Sequence, residues 1–376
     1  MAKKASALHS TYVLDGVPQE LTPAELLVAV TEDRSRMADG DEGGEQIVDE
    51  TLDPVLGKLN LDRSRLDEYL DNVMGAEKQL PLAFADVYTR MRLAAALIDA
   101  LWCRGSFRLG DLRLKALWKW NSAGVGSQAA FYRSVQSAAD YIDALGLKFS
   151  AYSYSGTKER SEVNFKPQLA ESEEDGEDMF IKQPFRSSDP KFSCVRACPS
   201  AFVPDPQSWI VYIPFETSDY RLGGSLLAQT LGLGGGVPPQ LDDADYFMDC
   251  FEVVRELVED KVVLSGGTVR YGGLLKTVKQ MTGGDVGASI DISGIMKAYQ
   301  EKDIVRILFS EVPGAVIQIR DMDFDYLDAE LLLQDVAFFP LGHPMPGTSD
   351  VRVKASARSG IQTILDSLMQ NAEGED

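Results

Sequence analysis

The sequence predicts a two-part α+β protein, and three patterns carry that prediction. Residues 221–281 read RLGGSLLAQTLGLGGGVPPQLDDADYFMDCFEVVRELVEDKVVLSGGTVRYGGLLKTVKQM. This is a Gly-Gly-Ser turn, a short apolar helix, a Gly/Pro-rich loop, an amphipathic helix, a strand and a glycine-led helix. Residues 129–145 place Phe131, Val135, Ala138 and Ile142 on one helical face, Gly146 ends that helix, and residues 148–154 alternate as a strand does. Residues 209–213 are all β-branched or aromatic, and Pro214 closes the run as a strand end.

Within the first pattern, Asp242, Asp243 and Asp245 precede Phe247, Phe251, Val254, Leu257 and Val258, which is helical spacing behind acidic residues. Val262, Val263 and Leu264 predict a buried strand that stops at Gly266-Gly267, with a helix after Gly272-Gly273. The chain before this core begins with an acidic, helical leader over residues 1–75. In it, Thr22-Pro23-Ala24-Glu25 reads as a capped helix start, residues 36–46 as a polar linker, and 61–73 as a short amphipathic helix. From Pro81 a long apolar helix runs through Met91, Leu93, Ala94, Leu97 and Ile98, and residues 112–120 form the next strand. The first half therefore spans 76–157. Residues 158–190, with the acidic run ESEEDGED at 171–178, read as a mobile linker. The second half spans 191–356, and 357–376 are a C-terminal helix and acidic tail. Inside the second half, 304–309 predicts a helix, 315–320 a strand, 326–333 a helix and 336–341 a strand.

Composition bounds the function. The chain of 376 residues is 44% apolar and 25% charged, ordinary for a globular protein, but its net charge is -21. That balance argues against nucleic acid or an anionic membrane as partner, since both need clustered Lys and Arg. No apolar run approaches the roughly 18–20 residues of a membrane span, and MAKKASALHS lacks a secretory apolar core. A cytoplasmic protein is expected. Cys103, Cys194, Cys198 and Cys250 are too irregular for a disulfide framework; Cys194-x3-Cys198 has no completing ligands, so buried free thiols are the preferred reading.

Several segments resemble a known family. LGGS-x-x-AQ at 222–229, DADYF at 243–247, GGLL at 272–275, PLAFAD at 81–86 and above all DIVRILFSEVPGAVIQI at 303–319 carry the likeness. They resemble the aminoimidazole ribonucleotide synthase-like modules of the phosphoribosylformylglycinamidine synthases, the second module most. The resemblance covers about residues 77–355. It implies a ferredoxin-like N-terminal half and an α/β sandwich as C-terminal half. It also implies ATP and Mg²⁺ held by carboxylates, Asn, Lys and glycine turns, because phosphate needs cations and N–H donors and Mg²⁺ needs oxygen ligands.

The positions that match those binding motifs have changed. The family's Gly-Lys-Asp-Ser aligns with Tyr152-Ser153-Tyr154-Ser155, without the lysine or the aspartate. Its His-Asp-x-Ser-x-Gly-Gly turn reads Gly267-Thr268-Val269-Arg270-Tyr271-Gly272-Gly273. The Glu and Asn of its first helix fall on Leu97 and Leu101, or in a later register on Asp99 and Cys103. Its Gly-Glu-Asp-Ala reads Gly126-Ser127-Gln128-Ala129. The resemblance therefore implies a catalytically degenerate, binding or scaffolding relative with no catalytic and no metal residues and no cofactor. The residual anion or nucleotide cleft would be Gly223, Gly224, Ser225, Arg270, Gly272 and Gly273.

Other chemistry is weakly signalled. His343 is either a structural residue or a lone catalyst, Arg270 and Tyr271 either contact an anion or lie in a solvated loop, and the Asp242 cluster either caps a helix or holds a cation. Gly234-Gly235-Gly236 lacks P-loop spacing. An N-terminal half standing alone would leave sheet edges and an apolar face open, so a homodimer, or pairing with a related synthase-like chain, is expected. The alternative function is a module of an active ATP-dependent synthase of purine biosynthesis, using ATP and Mg²⁺ and needing a partner chain.

Overall fold

The computed structural model describes residues 7–32, 38–40, 59, 61–77, 79–170 and 195–355. The leader opens with a hairpin of β1 (Val13–Leu14) and β2 (Val17–Pro18). Helix α1 (Pro23–Ala29) starts where the sequence placed it. The Thr22 N–H donates to Glu25 Oε2 at 2.7 Å and the Glu25 N–H donates to Thr22 Oγ1 at 3.3 Å, so two donors that the helix leaves over are satisfied reciprocally. Part of the expected linker instead forms β3 (Ala38–Gly40) at a sheet edge, and α2 (Leu66–Gly75) is the second leader helix. Leader residues are packed into both halves: Tyr12 and Leu27 join the core of the first, Tyr69 and Val73 that of the second.

The N-terminal half is built from α3 (Ala85–Leu101), β4 (Leu112–Trp120), α4 (Ser127–Ala144), β5 (Lys148–Gly156) and β6 (Glu162–Leu169). Its sheet has the order β3-β5-β4-β6, with β4 parallel to β5 and antiparallel to β6. Strand β4 alternates strictly: Leu112, Leu114, Ala116, Trp118 and Trp120 are buried under the helices, and Arg113, Lys115, Leu117 and Lys119 point the other way. Gly146 ends α4 at φ +65°, the left-handed conformation for which a glycine suits a helix end.

Two expectations need correction here. The segment 158–190 is not wholly a linker, because Val163 and Phe165 alternate into the core and make β6 an edge strand beside β4. The outward face of this sheet is not apolar, because three of the four outward residues of β4 are cationic. The acidic run at 171–178, the C-terminal helix and the tail lie outside the described residues.

The C-terminal half runs β7 (Trp209–Pro214), α5 (Leu226–Thr230), α6 (Ala244–Glu259), β8 (Val263–Val269), α7 (Gly273–Met281), β9 (Val286–Asp291), α8 (Ser293–Ala298), α9 (Ile304–Phe309), β10 (Gly314–Ile319), α10 (Phe324–Leu333), β11 (Phe339–Pro346) and β12 (Val351–Lys354). The six strands are ordered β12-β9-β11-β7-β10-β8, antiparallel except for β12 beside β9. Both faces are covered. Val211 and Ile213 pack with Phe247, Phe251 and Val254 of α6, whereas Ile210 and Tyr212 pack with Leu275 and Val278 of α7 and Leu308 of α9. This is the α/β sandwich that the resemblance implies, and burial of both faces of β7 accounts for the continuous apolar run at 209–213.

Strand β8 continues through Gly266 and Gly267 instead of stopping there. Both glycines pair with β10, opposite Ile317 and Val316. A Cβ on Gly266 would lie 2.4 Å from the Trp102 ring, and one on Gly267 would lie 2.6 Å from Met281 Sδ. The glycines therefore mark close approach of α3 and α7 to the strand, not a turn. The strand expected at 336–341 lies further on as β11 and carries His343, and β9 and β12 were not foreseen.

Candidate functional site

One face of α3 forms the seam between the halves. Tyr88, Arg92, Ala95, Asp99 and Trp102 recur at helical spacing. Tyr88 Oη donates to the Gly223 carbonyl at 2.9 Å, and burial, with the Glu311 charge second, pushes its phenol well above the usual value. The Arg92 guanidinium stacks over the Tyr271 ring at 5.0 Å. Among the described residues its Nε and Nη2 have no hydrogen-bond partner. Asp99 Oδ1 accepts from Thr268 Oγ1 at 2.7 Å, its other oxygen pairs with Arg270, and Thr268 Oγ1 accepts from Trp102 Nε1 at 2.9 Å. Asp99, the residue of the later register, thus faces the glycine turn, while Leu97 and Leu101 of the earlier one are fully buried. The C-terminal end of α3 is held from α6: Arg255, 1% exposed, donates to the carbonyls of Leu101 at 2.7 Å and Cys103 at 2.8 Å and also to that of Gly105. Such carbonyls have no partner within their own helix.

The two glycine turns meet at one buried carboxylate. Gly224, at φ +74°, leads into Ser225, whose Oγ accepts from the Ala228 N–H at 3.2 Å and caps α5. Gly272, at φ +84°, caps α7, and Gly273 lies against the backbone of Leu308 and Phe309. Glu311, 4% exposed, accepts through Oε1 from the Leu226 N–H at 2.7 Å and from the Gly272 N–H at 2.8 Å. A carboxylate therefore sits at the start of both helices, where free N–H groups and the helix field favour an anion. Burial pushes the Glu311 carboxyl above the ordinary glutamate range, against the pull of the two N–H donors and of Arg92 and Lys276. Lys276, on α7, is buried and donates to the Val73 carbonyl of α2 at 2.6 Å. The hollow left between Tyr88, Arg92, Arg270, Tyr271 and Glu311 has a volume of ≈ 20 Å³. That is room for about one water molecule.

All six cleft residues read from the sequence thus lie around this point: Gly223 against Tyr88, Gly224 and Ser225 leading into α5, Arg270 on Asp99, and Gly272 and Gly273 at the start of α7. Tyr271 is half-buried beneath Arg92 of α3, whereas Arg270 is exposed and reaches Asp99 from the surface. Glu311, Arg92 and Lys276 were missed, although Glu311 lies inside the 303–319 segment that carried the strongest likeness. The other altered motifs are elsewhere, in the first half. Tyr154 packs on Phe131 with ring centroids 5.0 Å apart, and Ser127 Oγ accepts from Trp120 Nε1 at 3.1 Å.

The remaining candidates are structural. Asp243 caps α6, accepting from the Tyr246 N–H at 2.9 Å, and Asp242 pairs with Arg90. Glu216, 4% exposed, accepts from the N–H groups of Asp242 and Thr217, both at 2.8 Å. His343 is a strand residue, its Nδ1 2.9 Å from the Ser208 carbonyl and its ring 4.2 Å from that of Trp209. Cys198 and Cys250 are free and buried, but Cys103 is disulfide-bonded, which corrects the expectation of a free thiol at that position. Among the described residues no group of three His, Cys, Asp or Glu is placed to hold a metal ion, and no helix is long and apolar enough to cross a membrane.

Comparison with known proteins agrees with this architecture. No family model matches the chain. It is 25% identical over 159 residues to the human phosphoribosylformylglycinamidine synthase, a stretch covering 42% of this chain and 12% of that protein. Among solved structures, T. maritima PurL complexed with FGAR superposes with a TM-score of 0.53 at 11% identity, over 75% of this chain and 42% of that one. The fold is that of an aminoimidazole ribonucleotide synthase-like module. PurLQS from Thermotoga maritima is also similar, at 11% identity and a TM-score of 0.48 over 72% of this chain and 40% of that one. The chain thus spans less than half the length of these three relatives, and resembles phosphoribosylformylglycinamidine synthase over one module.

Proposed function

We propose that this chain is a catalytically degenerate relative of phosphoribosylformylglycinamidine synthase that serves as a binding or scaffolding protein. The observation that carries the reading is that residues at the altered motifs are built into the packing: Thr268 joins Trp102 to Asp99, and Tyr154 packs on Phe131. Against a magnesium nucleotide at the glycine turns stand the hollow of ≈ 20 Å³ and Asp99, the nearest carboxylate on α3, which is already engaged by Thr268 and Arg270.

Isothermal titration of the whole chain with ATP and Mg²⁺ tests the reading, with no saturable heat at millimolar nucleotide as the expected result. Micromolar binding would instead support the second reading, a module of an active ATP-dependent synthase that needs a partner chain. That alternative would need other pieces to supply the missing groups, since the matched stretch reaches only 12% of the human enzyme's length.

A further inference from the structure

Helix α10 is apolar on its outer side as well as toward the core. Leu327 and Leu331 are fully buried with the residues of α6, and Phe324 packs on Trp209 with ring centroids 5.2 Å apart. On the opposite side, Met322 in the turn before the helix, Tyr326, Ala329 and Leu333 recur at the i, i+4, i+7, i+11 spacing of one stripe. All four are exposed, Met322 by 82% and Leu333 by 78%. The Tyr326 hydroxyl donates to Asp260 at 3.2 Å and leaves its ring in the stripe. A helix that is apolar all round belongs between two layers, and among the described residues the outer side of α10 has no layer over it.

We propose that residues 359–369 of the same chain dock on this stripe as an amphipathic helix. The segment reads SGIQTILDSLM. Ile361, Ile364, Leu365, Leu368 and Met369 fall at i, i+3, i+4, i+7 and i+8, which is one apolar face, and Ser359 with Gln362 has the spacing of a capping box. A helix this short is marginal in water by itself, so its apolar face needs a surface. The sizes agree: at 1.5 Å per residue the α10 stripe is about 16 Å long and the apolar face of the segment about 12 Å. The reach agrees as well. In the sheet β12 lies two strands from β11, about 10 Å, and β11 begins at Phe339, shortly after Leu333 ends α10. Residues 356–360, ahead of the first apolar position, can span about 16–18 Å, and so short a tether holds the segment at about millimolar concentration beside the stripe. Charge selects between occupants. Asp325, Asp328 and Glu330 flank the stripe, so the α10 of a second copy laid on it would set acid against acid, whereas Asp366 is the one charge in 359–369.

The test is amide hydrogen exchange of the full chain, read by mass spectrometry on peptides covering 361–370. Expected is exchange slower than that of the same sequence as a free peptide by on the order of tenfold or more. That protection should vanish in M322E/L333E, which alters the stripe, and in L365E/L368E, which alters the segment. In V17E/V125E, the same change at exposed apolar residues of the N-terminal half, it should stay within about twofold of wild type. Circular dichroism of each variant reports that the fold is kept. Exchange of 361–370 at the free-peptide rate in the wild-type chain would overturn the proposal without any variant. Protection that survives M322E/L333E would place the segment elsewhere, and protection lost in V17E/V125E as well would make the effect unspecific; either overturns it. A dimer by light scattering that M322E/L333E dissociates would give the stripe to a second copy and overturn it too. None of these outcomes depends on nucleotide binding, so they bear on the stripe alone.

Discussion

Replacing Glu311 with alanine should be among the most destabilising single changes in the C-terminal half. The side chain is 4% exposed, and one oxygen serves two backbone donors, Leu226 N–H at 2.7 Å and Gly272 N–H at 2.8 Å. Each buried donor left without a partner costs about 1–3 kcal/mol, so E311A should lose about 2–6 kcal/mol. E311Q keeps an acceptor oxygen at the same place. Because burial already pushes the wild-type carboxyl toward its neutral form, the uncharged amide should cost less than about 1.5 kcal/mol. The same shift fixes a sign for pH. A carboxyl whose pKa is higher folded than unfolded binds more protons in the native state, so its contribution is full below the unfolded value and declines as pH rises through the folded one. Wild-type stability should therefore fall relative to that of E311Q as pH rises from about 4.3 through the raised value. Urea unfolding followed by tryptophan fluorescence across that range measures both effects. Equal stability of E311A and wild type, or a gap between E311Q and wild type that does not change with pH, would refute the assignment of Glu311 as the clamp between the two turns.

Three further substitutions probe the seam by the same denaturation assay. T268V removes the acceptor for the fully buried Trp102 indole N–H, and the expected loss is about 1–3 kcal/mol with a shift in tryptophan emission; an unchanged spectrum would place Trp102 elsewhere. G224A forces a Cβ to within 2.7 Å of Phe84 Cδ2 at φ +74°, and the combined strain and overpacking should cost about 2–4 kcal/mol. R255M strips a buried cation from three carbonyls at the end of α3, for an expected loss of about 3–5 kcal/mol, and a loss below about 1 kcal/mol would mean that water replaces it there.

Most of the framework was legible because each element carried its own period. Helices α3, α4 and α6 and strands β4, β5 and β7 are regular in their apolar spacing, and the capping box of α1 is a local signal within four residues. What misled was composition. The acidic run at 171–178 coloured the whole segment 158–190 as linker, although Val163 and Phe165 alternate into the core within it. The glycine pair in β8 read as a turn, yet it exists because Trp102, far away in sequence, lies against the strand. Such a cause has no local signature.

The site was half legible for the same reason. Glycine turns are visible as glycines, but the group that fills them is not: Glu311 reaches Gly272 across 39 residues and Leu226 across 85. On α3, Arg92 reads as an ordinary polar position of a helix whose opposite face is plainly apolar, and Asp99 stands out only in the later of two registers. This bears on how the altered motifs are to be understood. Three of the four are not idle gaps: Thr268 joins Trp102 to Asp99, Tyr154 packs on Phe131, and Ser127 takes the Trp120 indole N–H. The replacement is incomplete: among the described residues Arg92 Nε and Nη2 and Gln128 Oε1 have no hydrogen-bond partner, and a hollow of ≈ 20 Å³ remains beside Arg92, the kind of orphaned groups and space that lost ligand contacts leave behind.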